Sequence, residues 1–420
     1  MFGEMLVIKF LIFFCDFMGR FLLMDDLSAS TISACVFHSS SLKVWGLTPK
    51  DRWQRLMKPV GKAEMRMVGD KSQLVEYFGG LSTVPGEVLL MNGQYIIDQV
   101  TFDALVGKPN TVLIAQEEMG FVIVAAYLKS CSLEELQALL LKRDIHLGQH
   151  GEMRFCQAVE MAQQYHRKLR KKYVPYVLKV GVVPKHEIEK IMFDGSYKGI
   201  TDIVTKYIWP PIALPLTRLS AFLRLTPNSI TSIGFLLMLL ATWLFYKGLF
   251  AEGLIAGWIM TLLDTVDGKL ARVTLTSSRL GDIFDHGIDL IHPPFWWWAW
   301  WYGVLNVYQL NFPWVGADLL LFCILGGYLV QRLIEGYFVR VFGMHIHVWQ
   351  RADSFFRLIT ARRNPNLLIL TAFMIFDRPE WGLVWVGIWT VFSLLFHLVR
   401  LVQAQLAKNK KNPLSSWLTE

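Results

Sequence analysis

Cysteine is scarce in this chain of 420 residues, and the few present are scattered. Cys15, Cys35, Cys131, Cys156 and Cys323 form no C-x-x-C pair, so neither a zinc site nor a disulfide framework is expected. Charge is thin as well. Only 18% of residues are charged while 53% are hydrophobic, which is too apolar for a typical soluble enzyme. It is also too charged for a wholly buried chain, so one soluble part and one membrane part are expected. No aromatic-plus-basic motif accompanies the net charge of +8, and nucleic acid is not expected as a partner. That charge fits exposed ends facing an anionic leaflet. No small-residue cleavage site follows the apolar stretch 5–15, which argues against a signal peptide. Residues 1–24 are read as an uncertain apolar extension without function.

What is present divides the chain. Residues 25–190 alternate short β-rich runs (SACVF, EVLLMNG, TVLIA) with helical stretches such as LEELQALLLK, the pattern of a cytosolic α/β domain. A helix is expected over 151–172, ending in the basic cluster Arg167, Lys168, Arg170, Lys171 and Lys172, either a solvated helix end or a contact for lipid headgroups. Residues 195–225 are apolar but carry Lys198, Lys206, Arg218 and Arg224, which suggests an interfacial amphipathic helix lying on the membrane. From Thr226 to residue 407 six apolar segments follow: 229–247, 250–272, 283–306, 317–342, 364–376 and 382–404. Thr226-Pro227-Asn228-Ser229 is a helix start signal. The fold class is therefore a bundle of six transmembrane helices behind a soluble α/β domain. Six crossings put both ends on one side. Basic residues at Arg218, Arg224 and in the tail 408–420 place that side in the cytosol of a cell that carries this protein in its cytoplasmic membrane.

Chemistry concentrates in Asp264-Thr-Val-Asp267-Gly268-Lys-Leu-Ala271-Arg272 and, eight residues on, Gly281-Asp-Ile-Phe-Asp285-His-Gly-Ile-Asp289. Carboxylates inside membrane helices are expensive and are functional by default. Asp264, Asp267, Gly268 and Ala271 follow i, i+3, i+4, i+7 and share one helix face. Gly281, Asp285 and Asp289 follow i, i+4, i+8 on the next helix. The short turn between them makes the two helices antiparallel neighbours. Four carboxylates meeting across that cleft (Asp264, Asp267, Asp285, Asp289) repel strongly unless divalent cations lie between them, and oxygen ligands suit magnesium or manganese. Two such ions can clamp a pyrophosphate.

The stretch resembles the CDP-alcohol phosphotransferase family, whose signature D-x2-D-G-x2-A-R-x8-G-x3-D-x3-D it matches at every position. The resemblance covers about 226–405. It implies a membrane enzyme that moves a substituted phosphate from a CDP-linked lipid or alcohol to an alcohol acceptor and releases CMP, in phospholipid biosynthesis. It implies two magnesium or manganese ions on Asp264, Asp267 and Asp285, with Asp289 as the general base. It places Asn228, Asp264, Gly268, Ala271, Arg272 and Gly281 around the CDP moiety, in a homodimeric protein embedded in lipid. Spacing alone shows which residues can converge, not which one is the base.

On the acceptor side, His292 lies three residues after Asp289 and either assists the acceptor hydroxyl or holds a backbone carbonyl at a helix kink. Arg332, Arg357, Arg362 and Arg363 are arginine-rich company for a phosphorylated acceptor such as inositol phosphate or glycerol phosphate; Arg332 with Glu335 can equally be a structural ion pair. The soluble domain resembles a sugar-phosphate nucleotidyltransferase, but His38-Ser39-Ser40-Ser41 stands where that family carries glycines, and Gln94 where an acidic residue is expected. It is read as inactive, serving folding, dimerisation or regulation. Two other classes compete: a magnesium-dependent prenyl-transferring membrane enzyme, and an aspartate-lined cation transporter. Neither has a place for the G-x2-A-R element.

Overall fold

The computed structural model describes residues 32–419, apart from 59–62, 71–72, 75, 77, 79–85, 130–131, 133, 137–138, 140–146, 151, 162–164, 308–315 and 410–413. Side chains at 63–65, 67, 149–150, 279–280, 282 and 285–286 also lie outside the description, as does the extension 1–24.

The soluble domain is built on a mixed sheet of seven strands: β1 (Ile32–Phe37), β2 (Ala63–Val68), β3 (Glu87–Asn92), β5 (Thr111–Glu117), β6 (Gly120–Lys129), β7 (Gly148–His150) and β8 (Met153–Cys156). Their order is β2-β1-β3-β6-β5-β8-β7, parallel where β1 meets β2 and β3, antiparallel where β6 meets β3 and β5. Alternate residues of β3 serve two cores. Leu89 and Met91 pack with Trp53, Leu56 and Phe102, while Val88 and Leu90 pack with Phe37, Leu74 and Phe78. The near-continuous apolar runs follow from this double burial. One core is covered by α1 (Pro49–Met57), whose N-cap Thr48 forms a capping box with Asp51, and by α2 (Gln99–Val106). A second pairing joins β4 (Tyr95–Ile97) to β11 (Val177–Lys179).

The three strands expected from sequence are present. Of LEELQALLLK, residues 134–136 and 139 are helical and the rest lie outside the described residues. The helix expected over 151–172 is not formed. That stretch contains β8, the four-residue α3 (Ala158–Met161) and a pairing of β9 (Tyr165–His166) with β10 (Lys171–Lys172). Strand β8 joins the sheet edge beside β5, and ladder bonding outweighs the helical pattern there.

Helices occupy all six apolar segments: α6 (Pro227–Tyr246), α7 (Phe250–Val273), α8 (Arg279–Val307), α9 (Ala317–Phe342), α11 (Arg363–Ile375) and α12 (Pro379–Asn409), with α10 (Arg351–Phe356) between α9 and α11. Among the described residues, three are long and apolar enough to cross a membrane: Pro227–Tyr246, Ala317–Phe342 and Pro379–Lys408. The protein is thus an integral membrane protein by its helices. One side of the aromatic run in α8 faces inward, while Phe295 and Trp298 are exposed. Trp296, Trp297 and Trp300 are fully buried, and their neighbours are Phe245 and Phe250. Indole N–H groups of Trp296, Trp300 and Trp301 donate to the carbonyls of Met238, Pro379 and Ala317, pinning α8 to three other segments.

The linker helix α4 (Lys185–Gly195) and α5 (Trp209–Phe222), entered by a π-helical turn Val204–Ile208, lie between the halves. A shared core of Trp45, Ile96, Ile188, Phe193, Ala213, Ile230, Val266 and Leu270 joins them. The carbonyls that end α7 are met by cations from the soluble domain. Arg52 Nη1 donates to Val273 O at 2.7 Å, and Arg55 Nη1 to Thr274 O at 2.6 Å. A guanidinium there satisfies orphan carbonyls and opposes the helix dipole. Arg52 is 2% exposed, and burial lowers its pKa to about 10. Arg52→Ala should cost about 1.5–3 kcal/mol of stability, the value of a hydrogen bond from a charged group. The check is the thermal unfolding midpoint of the detergent-solubilised chain, and an unshifted midpoint would show that this contact contributes nothing.

Candidate active site

Helices α7 and α8 run antiparallel through the turn Thr274–Ser278, and α6 packs against both. This places the aspartate faces together. Asp267 is 4% exposed; its Oδ2 accepts a 2.6 Å hydrogen bond from Thr231 Oγ1 on α6, and its Oδ1 has no partner among the described residues. Asp264 and Asp267 line one small cleft with Thr231, Gly234, Phe235, Met260 and Ile288. Arg363, at the start of α11, reaches back to the same place. Its Nη2 lies 2.5 Å from Asp264 Oδ2 and its Nη1 lies 2.6 Å from Asp289 Oδ1. One guanidinium thus bridges the first and last aspartates of the motif. The side chain of Asp285 lies outside the described residues; its backbone sits in α8 one turn before Asp289.

The two motif glycines make room. A Cβ at Gly268 would lie 3.0 Å from Arg272 Nη2, and one at Gly281 would lie 3.0 Å from Asn228 Oδ1 and 2.9 Å from Ser278 Oγ. Gly281 N also donates to Ser278 Oγ at 3.0 Å. Asn228, one residue after the N-terminal proline of α6, is therefore held at the mouth of α8. Thr226 caps α6 by accepting from Ser229 N. Ala271 and Arg272 are partly exposed on the last turn of α7, and Arg272 sits within reach of the charges of Lys269 and Lys171.

The acceptor-side residues separate into two groups. His292 is 1% exposed, with Nδ1 at 2.7 Å from Ile288 O and its ring edge against Trp296 at 4.7 Å. These are the contacts of a histidine bound to its own helix beside Pro293 and Pro294. The arginines instead gather. Arg332 Nη2 meets Glu335 Oε1 at 2.8 Å, so the structural ion pair is formed, and Arg362 Nη2 takes the other oxygen, Oε2. Arg357 is buried close to Asp202. Asp202 accepts from Thr205 N at 3.0 Å and from Asn364 Nδ2 at 2.9 Å, which ties the π-helical turn to the start of α11. Burial alone would raise the Asp202 pKa, but Arg357 and these hydrogen bonds outweigh it and hold the carboxyl below its usual value.

Thr231 and Asp202 were not legible as site residues. Thr231 is one hydroxyl in an apolar segment, and Asp202 lies far from the motif in sequence. Their only signal is a polar group where apolar residues dominate.

Residues 224–392 match the family described as CDP-alcohol phosphatidyltransferase. Archaetidylinositol phosphate synthase of Pyrococcus horikoshii is 41% identical over 88 residues, 20% of this chain and 45% of that protein. Choline/ethanolaminephosphotransferase 1 of Arabidopsis thaliana is 31% identical over 128 residues, 28% of this chain and 31% of that protein. The chain thus spans less than half the length of these relatives. A crystal structure of Mycobacterium tuberculosis phosphatidylinositol phosphate synthase with CDP-DAG bound is 18% identical, with a TM-score of 0.36, covering 46% of this chain and 94% of that one.

The cleft offers donors that suit a hard divalent cation: carboxylate oxygens, with Asp267 Oδ1 buried and without a partner among the described residues, beside Asp264. A second cluster, Glu335, His347 and His397, brings its ligand atoms within 4.8 Å of one another. Both of its carboxylate oxygens are already taken by arginines, so it is a poor place for a cation. Thr231 orients the Asp267 carboxylate through its hydroxyl. Thr231→Val should therefore weaken Mn2+ binding about 10–100-fold, as losses of such supporting hydrogen bonds do. Titration of the free Mn2+ signal by electron paramagnetic resonance checks this, and wild-type affinity in the variant removes the role.

Proposed function

We propose that the chain transfers a substituted phosphate from a CDP-linked donor to an alcohol and releases CMP. The observation that carries it is the meeting of Asp264 and Asp267 in one cleft, with Arg363 bridging Asp264 to Asp289. Asp264, Asp267 and Asp285 would hold two magnesium or manganese ions, with Asp289 beside them. Such ions offset the carboxylate charge and polarise the pyrophosphate oxygens.

Asp289 has the exposed position of a base: its side chain is 43% exposed, against 19% for Asp264. Its carboxylate takes the proton of the acceptor hydroxyl. The acceptor oxygen then attacks the phosphorus bearing the substituent, the bond from that phosphorus to the bridging oxygen breaks, and CMP leaves with that oxygen. Arg363 holds the Asp289 carboxylate in place until the substrate arrives. Arg272 faces the leaving phosphate at the edge of the cleft.

The donor reading is CDP-diacylglycerol. The segment 203–225 supports it, because Tyr207, Ile208, Ile212, Leu219, Phe222 and Leu223 form an exposed apolar surface fit to lie in a bilayer interface beside the cleft. The acceptor reading is a phosphorylated polyol, supported by the arginines beside Asp289. A cytosol-facing site and a homodimer belong to the same proposal. The soluble domain, read as an inactive relative of nucleotidyltransferases, has its β1 loop closed: Ser40 N donates to Gly93 O, and a Cβ at Gly93 would lie 2.2 Å from His38 O.

Two measurements test this. In detergent with magnesium and CDP-diacylglycerol, Asp289→Ala should lower CMP release about 10²–10⁴-fold, the range for loss of a general base. Undiminished release would overturn the mechanism. Arg357→Glu should raise the acceptor KM far more than the donor KM, and equal effects on both would remove the phosphorylated acceptor.

A further inference from the structure

The soluble domain sends one arginine into the membrane domain. The turn between β9 and β10 carries Arg170, whose backbone is left-handed at φ 50°. Residues that hold this conformation without being glycine are fixed by their surroundings. The turn is docked at both sides. Leu169 O accepts from Gly199 N at 2.8 Å, Arg167 Nη2 donates to Gly343 O at the end of α9, and Lys171 Nζ donates to Gly195 O at 2.6 Å.

Arg170 thereby meets Arg362, Glu335 and Arg332 through its charge, and Arg357 feels it in turn. Four guanidiniums stand here against two carboxylates, Glu335 and Asp202, a surplus of two positive charges. The nearby histidines do not add to it, because burial holds His345 and His347 well below their usual pKa. The donors are in excess too. The Nε atoms of Arg170, Arg332, Arg357 and Arg362, and Nη1 of Arg357, are shut from solvent with no partner among the described residues. Arg357 as a whole is 7% exposed. Both ring nitrogens of His397 are also without a partner there. Buried cationic donors in surplus call for an anion with several acceptor oxygens. A cation is disfavoured by the same surplus, although Glu335, His347 and His397 have the spacing of ligands.

Side-chain contacts link this cluster to the base. Tyr328 donates to Leu290 O at 2.9 Å, next to Asp289, and Arg332 lies over the Tyr328 ring at 5.3 Å. Arg362 adjoins Arg363, which holds Asp289.

We propose that Arg170 of the soluble domain completes a phosphomonoester site in the membrane domain, so that the soluble domain supplies part of the acceptor pocket. This rests on the phosphotransfer reading above for its ligand's role, not for its binding. The dianion sits among Arg170, Arg332, Arg357 and Arg362, and the rest of the acceptor extends past Tyr328 to present a hydroxyl to Asp289.

The test uses the full chain in phosphatidylcholine nanodiscs, with thermal unfolding followed against inorganic phosphate and against glycerol 3-phosphate. Both should stabilise the wild type. Arg170→Gln should raise the apparent Kd for each about tenfold or more, as loss of a charged hydrogen bond does. Lys168→Gln, two residues away and exposed, should leave it unchanged. Should Arg170→Gln fail to fold, Arg170→Lys keeps the charge but loses the planar fork, and should weaken binding by a smaller factor. Unchanged phosphate affinity in a folded Arg170 variant overturns the proposal. So does stabilisation that appears only when phosphatidic acid is added to the nanodiscs, which would make the occupant a lipid headgroup. Phosphate binding that depends on Arg170 in a chain that releases no CMP would sink the phosphotransfer reading and leave this site standing.

Discussion

Carboxylates in an apolar helix bundle persist only where opposite charge or hydrogen bonds meet them, and here that task falls first to Arg363. Its fork between Asp264 and Asp289 ties α7, α8 and α11 into one unit. Leaving the largely buried Asp264 without it would cost several kcal/mol. Of the other two, the Asp285 side chain lies outside the described residues, and Asp267 is met on one oxygen only, by Thr231. The bundle thus cancels part of the acidic charge with its own residues and leaves one buried oxygen for something else. The family match over 224–392 gives that vacancy its chemical sense.

The two halves of the chain are not beads on a linker. Arg52 and Arg55 hold the carbonyls that end α7, the helix carrying Asp264 and Asp267. Trp45 sits in the shared core with Phe193, Val266 and Leu270, and its N–H faces Glu189, which Arg218 also binds at 2.9 Å. Lys269, between the motif residues, lies 3.1 Å from the Tyr197 ring centre and reaches Ser196 O. A soluble domain that holds the end of α7, with a linker that meets Lys269 nearer its middle, is well placed to set the position of that helix. That gives a domain with a closed β1 loop a reason to be there.

Much of the site was legible because membrane helices make polar residues conspicuous. The motif at 264–289 stood out by spacing, and its helices, turn and antiparallel packing follow from local rules. Helix positions were legible for the same reason, since apolar length is a one-dimensional property. The stretch 151–172 was not, because its strands exist only by pairing with β5 and with each other, and a basic amphipathic pattern carries no record of such partners. His292 shows the converse. Its spacing from Asp289 suggested the acceptor side, yet its backbone bond and aromatic neighbour sit on its own helix.

By itself the sequence determined which carboxylates share a face and the two helices that host them, since residue type and i, i+4 spacing are enough to align carboxylates on a helix face. Tertiary structure decided which cations meet them. Arg363 on Asp264 and Asp289, Thr231 on Asp267, and Arg170 beside Arg357 and Arg362 are contacts between segments tens to nearly two hundred residues apart. Periodicity governs faces within one helix; it says nothing about which distant side chain a folded chain brings to them.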